Sequence, residues 1–175
     1  MAGRLASGLF EQVPCAYRGI CAVSKNPSST EEQGEGEIML LEEQGITISD
    51  RKDLLQPDRI IAFLKGSYWA KDRPAELIKA SIDQSICFGV YESGLQVGFA
   101  RVVTDLSTMY YLCDVIIDEG CRGRSLGKKL VDAIVNDDRF AKLHGILVTA
   151  DAHGLYEQYG FVRDPDRTLR RTRRQ

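Results

Sequence analysis

The sequence predicts an α/β domain built on a mixed sheet, and three observations carry that prediction. Residues 86–104 alternate apolar with small or polar side chains around a Ser-Gly turn, as a β-hairpin does. From residue 110 the chain reads strand, helix, strand, helix, with the apolar period switching between two and four. Between the first of those strands and its helix lies a turn rich in glycine and arginine. Antiparallel strands followed by strand–helix–strand units make a mixed sheet with helices on its faces.

The elements follow in order. Gly45-Ile46-Thr47-Ile48 reads as a short strand. Pro57 opens a helix, because its missing N–H and fixed φ suit the first helical position, and Ile60, Ile61 and Leu64 share one side. Pro74 opens a second helix in which Ile78 and Ile82 recur at helical spacing. Ile86, Phe88 and Val90 alternate with Cys87, Gly89 and Tyr91, Ser93-Gly94 makes a tight turn, and Leu95 to Thr104 returns with Val97 and Phe99 on one face. Tyr110 to Asp118 is apolar on both faces through Val115, Ile116 and Ile117, which places it centrally in the sheet. Leu126, Leu130 and Ile134 set a helix over about 125–136. Ile146-Leu147-Val148 reads as a buried strand. A short helix holds Leu155, Tyr156 and Tyr159, Gly160 caps it, and Phe161-Val162 starts a last strand.

Composition bounds the function classes. The chain of 175 residues carries a net charge of −2 and 43 % apolar residues, the mix of a globular protein of one domain. That balance argues against a protein basic throughout, so no specific nucleic acid is expected as partner. No apolar run approaches the roughly 18 residues that span a bilayer, so no membrane is expected either. The five cysteines, at 15, 21, 87, 113 and 121, are odd in number and form no C-x-x-C; with His144 and His153 as the two imidazoles, no metal site is expected. Reduced thiols in a cytoplasmic protein are the simplest reading.

The ends differ from the middle. Residues 1–44 read as an N-terminal appendage: Glu11 is the only acid before Glu31, which faintly resembles an organellar transit peptide, and residues 27–37 read as a flexible linker. The domain is expected over 45–165. Residues 166–175 form a basic tail whose arginines, five from Arg167 onward, leave the rest of the chain at −7.

The turn Asp118-Glu119-Gly120-Cys121-Arg122-Gly123-Arg124-Ser125-Leu126-Gly127-Lys128-Lys129 is the chemical centre. A helix N-terminus leaves about four N–H groups unpaired and carries roughly half a positive charge. Glycine lets an anion approach that backbone, and the basic side chains add charge, so the turn suits a pyrophosphate or another phosphorylated ligand. It is not a P-loop: Arg122 stands where that motif has glycine and Lys129 where it has a hydroxyl.

Arg122 to Gly127 resembles the acyl-CoA signature of the GNAT-type N-acetyltransferases, Gln/Arg-x-x-Gly-x-Gly/Ala, with Arg122 and Gly127 matching and Ser125 in place of the middle glycine. Serine is small and suits a helix N-cap. Leu155-Tyr156-Glu157-Gln158-Tyr159-Gly160-Phe161 resembles the family's Leu-Tyr-Glu-x-x-Gly-Phe element. The resemblance covers about 46–163. It implies mostly antiparallel N-terminal strands, a splayed parallel pair at the cofactor site, and direct acetyl transfer from acetyl-CoA to a primary amine.

The roles implied by the resemblance fall as follows. The backbone of Arg122, Gly123, Arg124, Ser125, Leu126, Gly127 and Lys128 holds the pyrophosphate, and the pantetheine lies along the strand at 115–118, with Ile116, Ile117 and Asp118 as the contact candidates. The N–H of Ile117, or of Ile116, polarises the thioester carbonyl. Tyr156 is the candidate general acid for the leaving thiolate. Asp114, among apolar residues where burial would raise its pKa, is a candidate base, with a structural hydrogen-bonding carboxylate as the alternative reading. Tyr68, Trp69 and Arg101 are candidates to line the acceptor pocket, with core packing the alternative for Trp69. Asp151 and His153 precede Tyr156 and could shape the groove. The acceptor is a small-molecule or peptide amine, and a homodimer is compatible with the resemblance.

Two other classes fit less well. Gly123-Arg124-Ser125-Leu126-Gly127 matches the G-x-S-x-G of serine hydrolases, with Asp151 and His153 following. That elbow turns sharply from strand to helix, whereas several residues separate Ile117 from Ser125. A non-catalytic CoA-binding or interaction module on the same fold is compatible with the Ser125 departure and the basic tail.

Overall fold

The computed structural model describes residues 39–43 and 45–171; for 39–43 it describes the backbone alone. The described fold lies within one compact unit, Gly36–Gln175. The N-terminal appendage up to residue 38, its linker, and the last four residues of the basic tail lie outside the described residues.

Six strands form one sheet in sequence order: β1 (Met39–Glu43), β2 (Ile46–Ser49), β3 (Ile86–Glu92), β4 (Leu95–Thr104), β5 (Met109–Ile117) and β6 (His144–Leu147). Every neighbouring pair is antiparallel except β5–β6, which is parallel. β1 begins at Met39, so the sheet reaches into the segment that the sequence assigns to the appendage. The helices are α1 (Pro57–Lys65), α2 (Ala75–Asp83), α3 (Leu126–Val135) and the short α4 (His153–Tyr156), which runs into a 3-10 turn ending at Tyr159. Gly160, at φ 82°, ends that turn in the left-handed conformation.

The expected last strand does not form: residues 161–164 lie outside any strand and a turn follows at Pro165–Arg167. The Phe161 ring is held edge-on to Tyr156 and Tyr110, and the Asp164-Pro165-Asp166 turn arrives too soon for a ladder to build.

The sheet is covered on both faces. On one, Leu126, Leu130 and Ile134 of α3 pack with Phe140 against Phe88, Val90, Val102, Tyr110 and Leu112. On the other, Ile60 and Leu64 of α1 and Ile78 and Ile82 of α2 pack against Cys87, Phe99 and Ile116. Arg59 of α1 fastens the far end of β5, donating to the Gln96 carbonyl at 2.6 Å and to Asp118 Oδ2 at 2.8 Å.

β5 contains a bulge. Phe99 pairs with Ile116 and Arg101 with Cys113, so Asp114 and Val115 together oppose Ala100 alone. Asp114 takes φ 55°. One extra residue exchanges the faces of everything beyond it. Tyr110 and Leu112 belong to the α3 side, whereas Ile116 belongs to the α1–α2 side and Val115 and Ile117 pack on the α3 side. Gly98 makes this fit, because a Cβ there would lie 2.6 Å from Ile117 Cδ1 and 2.9 Å from Val90 Cγ2.

Asp114 is held in the bulge by two arginines. Arg73, from the segment before α2, donates to both carboxylate oxygens at 2.9 and 3.2 Å, and Arg101 Nε donates to Oδ2 at 2.9 Å. The side chain is 3 % exposed. Burial acts to raise its pKa, but the Arg73 hydrogen bonds and the charges of Arg101 and Arg73 outweigh that and hold it below the ordinary value.

Asp114→Asn keeps a residue that tolerates a positive φ and removes the charge that satisfies two half-buried guanidinium groups. Chemical denaturation at pH 7 should show a loss of about 3 kcal/mol. Because the folded pKa lies below the unfolded one, the contribution is complete above the carboxylate range and fades as pH falls through the folded pKa. The stability gap between wild type and variant should therefore narrow below about pH 4.

Candidate active site

β5 and β6 pair only as far as Leu112 and Leu147. Past the bulge, β5 stays with β4, while the chain leaving β6 turns away towards α4. Between them opens a groove of about 770 Å³. It is lined by Val115, Ile116 and Ile117 of β5, by residues of the turn between Glu119 and Lys128, by Gly66 to Trp69, and by Asp151, Ala152, Leu155 and Tyr156.

Strand alternation fixes which amides face this space. Asp118 N donates to the Val97 carbonyl of β4 at 2.8 Å. Successive residues point their backbone groups to opposite edges, so Ile116 N–H also turns towards β4, and those of Val115 and Ile117 turn to the open side. The Ile117 carbonyl faces that side too, accepting from Arg122 Nε at 3.3 Å. Of the two amides left open by sequence reasoning, Ile117 is the one aimed into the groove. Val115, at the start of the 115–118 stretch that the resemblance assigns to the pantetheine, joins it.

The turn is shaped by two left-handed residues. Asp118 accepts from Gly120 N at 3.0 Å and opens a 3-10 turn over Glu119–Cys121. Gly123 at φ 77° and Ser125 at φ 61° then swing the chain into α3. Ser125 stands at the N-cap position but makes no side-chain capping bond. A capping hydroxyl requires extended backbone, and Ser125 has taken the conformation that glycine adopts freely. The hydroxyl cap expected from the sequence is therefore absent.

The first-turn N–H groups of Leu126, Gly127 and Lys128 have no acceptor within the helix, by helix geometry; Lys129 N is the first to be satisfied, by Ser125 O at 3.0 Å. Gly127 is open above: a Cβ there would meet only Ile117 Cγ1, at an ordinary 3.7 Å. Packing does not demand glycine at this position, where it weakens the helix by about 1 kcal/mol. The uncovered backbone fits a pyrophosphate-bearing ligand resting on it. Arg122 and Lys128 line the groove and supply the charge. Arg124 does not line it; both its terminal nitrogens are engaged by Glu92 at 3.0 and 2.6 Å, which ties the turn to the end of β3. Asp118 likewise serves as a brace between the turn and Arg59. Tyr159 OH donates to Lys128 O at 2.9 Å and steadies the same turn from the other side.

Tyr156 lines the groove from α4. Burial, with the nearby Asp151 charge and Tyr68 adding to it, pushes its hydroxyl pKa up to about 12, so it carries its proton throughout the neutral range. Tyr68 and Trp69 are not core residues: they are 57 % and 44 % exposed, stand edge to face with centroids 4.9 Å apart, and line the groove. Tyr68 OH donates to Asp151 Oδ1 at 3.2 Å.

Two sequence candidates lie elsewhere. Asp114 and Arg101 are absent from the groove lining. The expectation that burial raises the Asp114 pKa is reversed by its two arginines, and a carboxylate so held is a poor base. Arg101 is spent on Asp114 and on Ser85 Oγ, at 3.1 Å, rather than reaching the acceptor. His153 lines a different cavity, beside β6. Among the described residues no hydrogen bond joins Ser125, Asp151 and His153, so a hydrolase triad is not assembled.

A sequence model described as "Acetyltransferase (GNAT) domain" matches residues 83–163. A Gibberella zeae protein named as an acetyltransferase is 32 % identical in an alignment that covers 62 % of this chain and 74 % of that protein. The chain belongs to the GNAT family of acetyltransferases. An uncharacterised N-acetyltransferase of Gracilaria tenuistipitata var. liui is 32 % identical over 56 % of this chain, and the chain spans 57 % of that relative's length. A GNAT-family structure from Xanthomonas campestris pv. campestris superimposes with a TM-score of 0.70 at 39 % identity, over 73 % of this chain and 92 % of that one. A Clostridium acetobutylicum acetyltransferase solved with acetyl-CoA shares the fold at 16 % identity and a TM-score of 0.52, over 73 % of this chain and 94 % of that one. In this GNAT chain the splayed pair, the glycine-bearing turn and Tyr156 meet at one groove, and no group of residues suited to a metal occurs among the described residues.

Two substitutions test the turn. Gly127→Val should leave the thermal unfolding midpoint within a few degrees and weaken acetyl-CoA binding at least tenfold by calorimetry, because the branched side chain fills the uncovered space. Ser125→Gly should raise stability by about 1 kcal/mol in urea denaturation, because it releases a left-handed serine.

Proposed function

We propose that the protein transfers the acetyl group of acetyl-CoA directly to a primary amine. The observation that carries this reading is the groove itself. Open strand amides, an uncovered helix N-terminus with two cations, and a tyrosine that keeps its proton all face one space large enough for a pantetheine arm and an acceptor.

When bound, acetyl-CoA supplies an activated acyl group as a thioester. The first-turn amides of α3, with Arg122 and Lys128, hold the pyrophosphate. Val115 and Ile117 extend hydrogen bonds to the pantetheine and to the acyl carbonyl. A preorganised donor at the point where negative charge develops can lower a barrier by about 3 kcal/mol. The neutral amine adds to the carbonyl carbon, the C–S bond breaks, and Tyr156 gives its proton to the departing sulfur. Solvent reached through the open groove takes the proton that the amine nitrogen loses and restores the tyrosine. Asp114 has no part in these steps; it positions the strand that makes them possible.

Calorimetric titration with acetyl-CoA, alongside dephosphorylated pantetheine, tests the binding half: micromolar affinity that the control lacks is expected, and no binding by folded protein would overturn the reading. Tyr156→Phe should leave that affinity within about threefold and lower kcat for amine-dependent thiol release about a hundredfold. Full activity in this variant would remove Tyr156 as the acid.

A further inference from the structure

The charged residues that line the groove are Glu119, Arg122 and Lys128 on the turn and Asp151, which stands beside Tyr68. Asp151 stands on the loop before α4, where the charge is felt at the Tyr156 hydroxyl. Tyr68 OH donates to one of its oxygens at 3.2 Å, which orients the carboxylate. A carboxylate offers about four acceptor positions, so most of its capacity is left for a ligand. Beside it, Tyr68 and Trp69 hold their rings nearly perpendicular, at 82°; both are exposed and both line the groove. Aromatic faces attract both flat apolar bodies and cations.

We propose that the part of the groove around Tyr68, Trp69 and Asp151 selects a primary amine that arrives as a cation on a flat apolar body free of anionic groups, with Asp151 holding the ammonium until it gives one proton to solvent and becomes the neutral nucleophile, and Tyr68 and Trp69 supporting the body. This rests on the acetyl-transfer reading above and gives that reading its acceptor class. An anionic group on the acceptor would lie near Asp151 and be repelled, and the two cations that line the groove among the described residues, Arg122 and Lys128, belong to the turn that takes the pyrophosphate in the reading above. Asp151 is thereby a specificity-determining residue.

The test compares 2-phenylethylamine with phenylalanine, which has the same body and amine but adds a carboxylate, in wild type and Asp151→Asn. Thiol release from acetyl-CoA reports transfer, and saturation-transfer NMR on the CoA-loaded protein reports amine binding directly. Wild type should use 2-phenylethylamine with a kcat/KM at least tenfold above that for phenylalanine. Asp151→Asn should raise KM for 2-phenylethylamine about tenfold, with kcat changed less than threefold and acetyl-CoA affinity unchanged. Equal use of phenylalanine, or an unchanged KM in the variant, would overturn the inference while leaving acetyl transfer standing. Binding of 2-phenylethylamine that Asp151→Asn abolishes, without any transfer, would keep the inference and overturn the reading beneath it. Neither binding nor transfer of 2-phenylethylamine would overturn the inference.

Discussion

Asp114 holds a left-handed backbone in the middle of a strand, and its carboxylate is shared by Arg73 and Arg101. The rest of the site lies downstream of that bend. The extra residue exchanges the faces of β5, sends Ile116 to the α1–α2 side, and turns the Val115 and Ile117 amides towards the edge that β6 has left. Without the exchange, β5 could continue beside β6 and no groove would exist. The buried carboxylate thus acts on the site through backbone direction rather than through proton transfer, and its low pKa suits that task better than the one the sequence suggests.

The turn after β5 extends the same logic. Gly123 and Ser125 bend the chain so that α3 points its uncapped end at the groove. Three braces hold that orientation: Arg59 on Asp118, Arg124 on Glu92 and Tyr159 on the Lys128 carbonyl. The Arg124 side chain is therefore occupied with structure. The motif reads as a run of positive charge, but the groove sees Arg122 and Lys128.

What the sequence made legible was local. The hairpin at 86–104 follows from alternation and a Ser-Gly turn, α3 from Leu126, Leu130 and Ile134, and the groove from two motifs that bring Gly127 and Tyr156 together. What stayed hidden depends on distant partners. Nothing near Asp114 announces Arg73, 41 residues earlier, or its effect on the carboxylate. Arg124 looks like a phosphate ligand until Glu92, 32 residues away, is seen to hold it. The bulge is masked because β5 is apolar at almost every position, so alternation carries no record of the face exchange. The expected strand at Phe161 fails because a proline turn follows before pairing can extend, and β1 was missed because its apolar run lies against a linker-like stretch.

The central claim is that the bulge turns two β5 amides into the groove to meet an acyl-CoA. Residue-resolved amide exchange by NMR, with and without acetyl-CoA, tests it most directly. Slowed exchange at Val115, Ile117 and the amides of Leu126 to Lys128, with Ile116 equally protected in both states, is the predicted result. Acetyl-CoA that binds without slowing Val115 and Ile117, or that protects Ile116 in their place, would contradict the account.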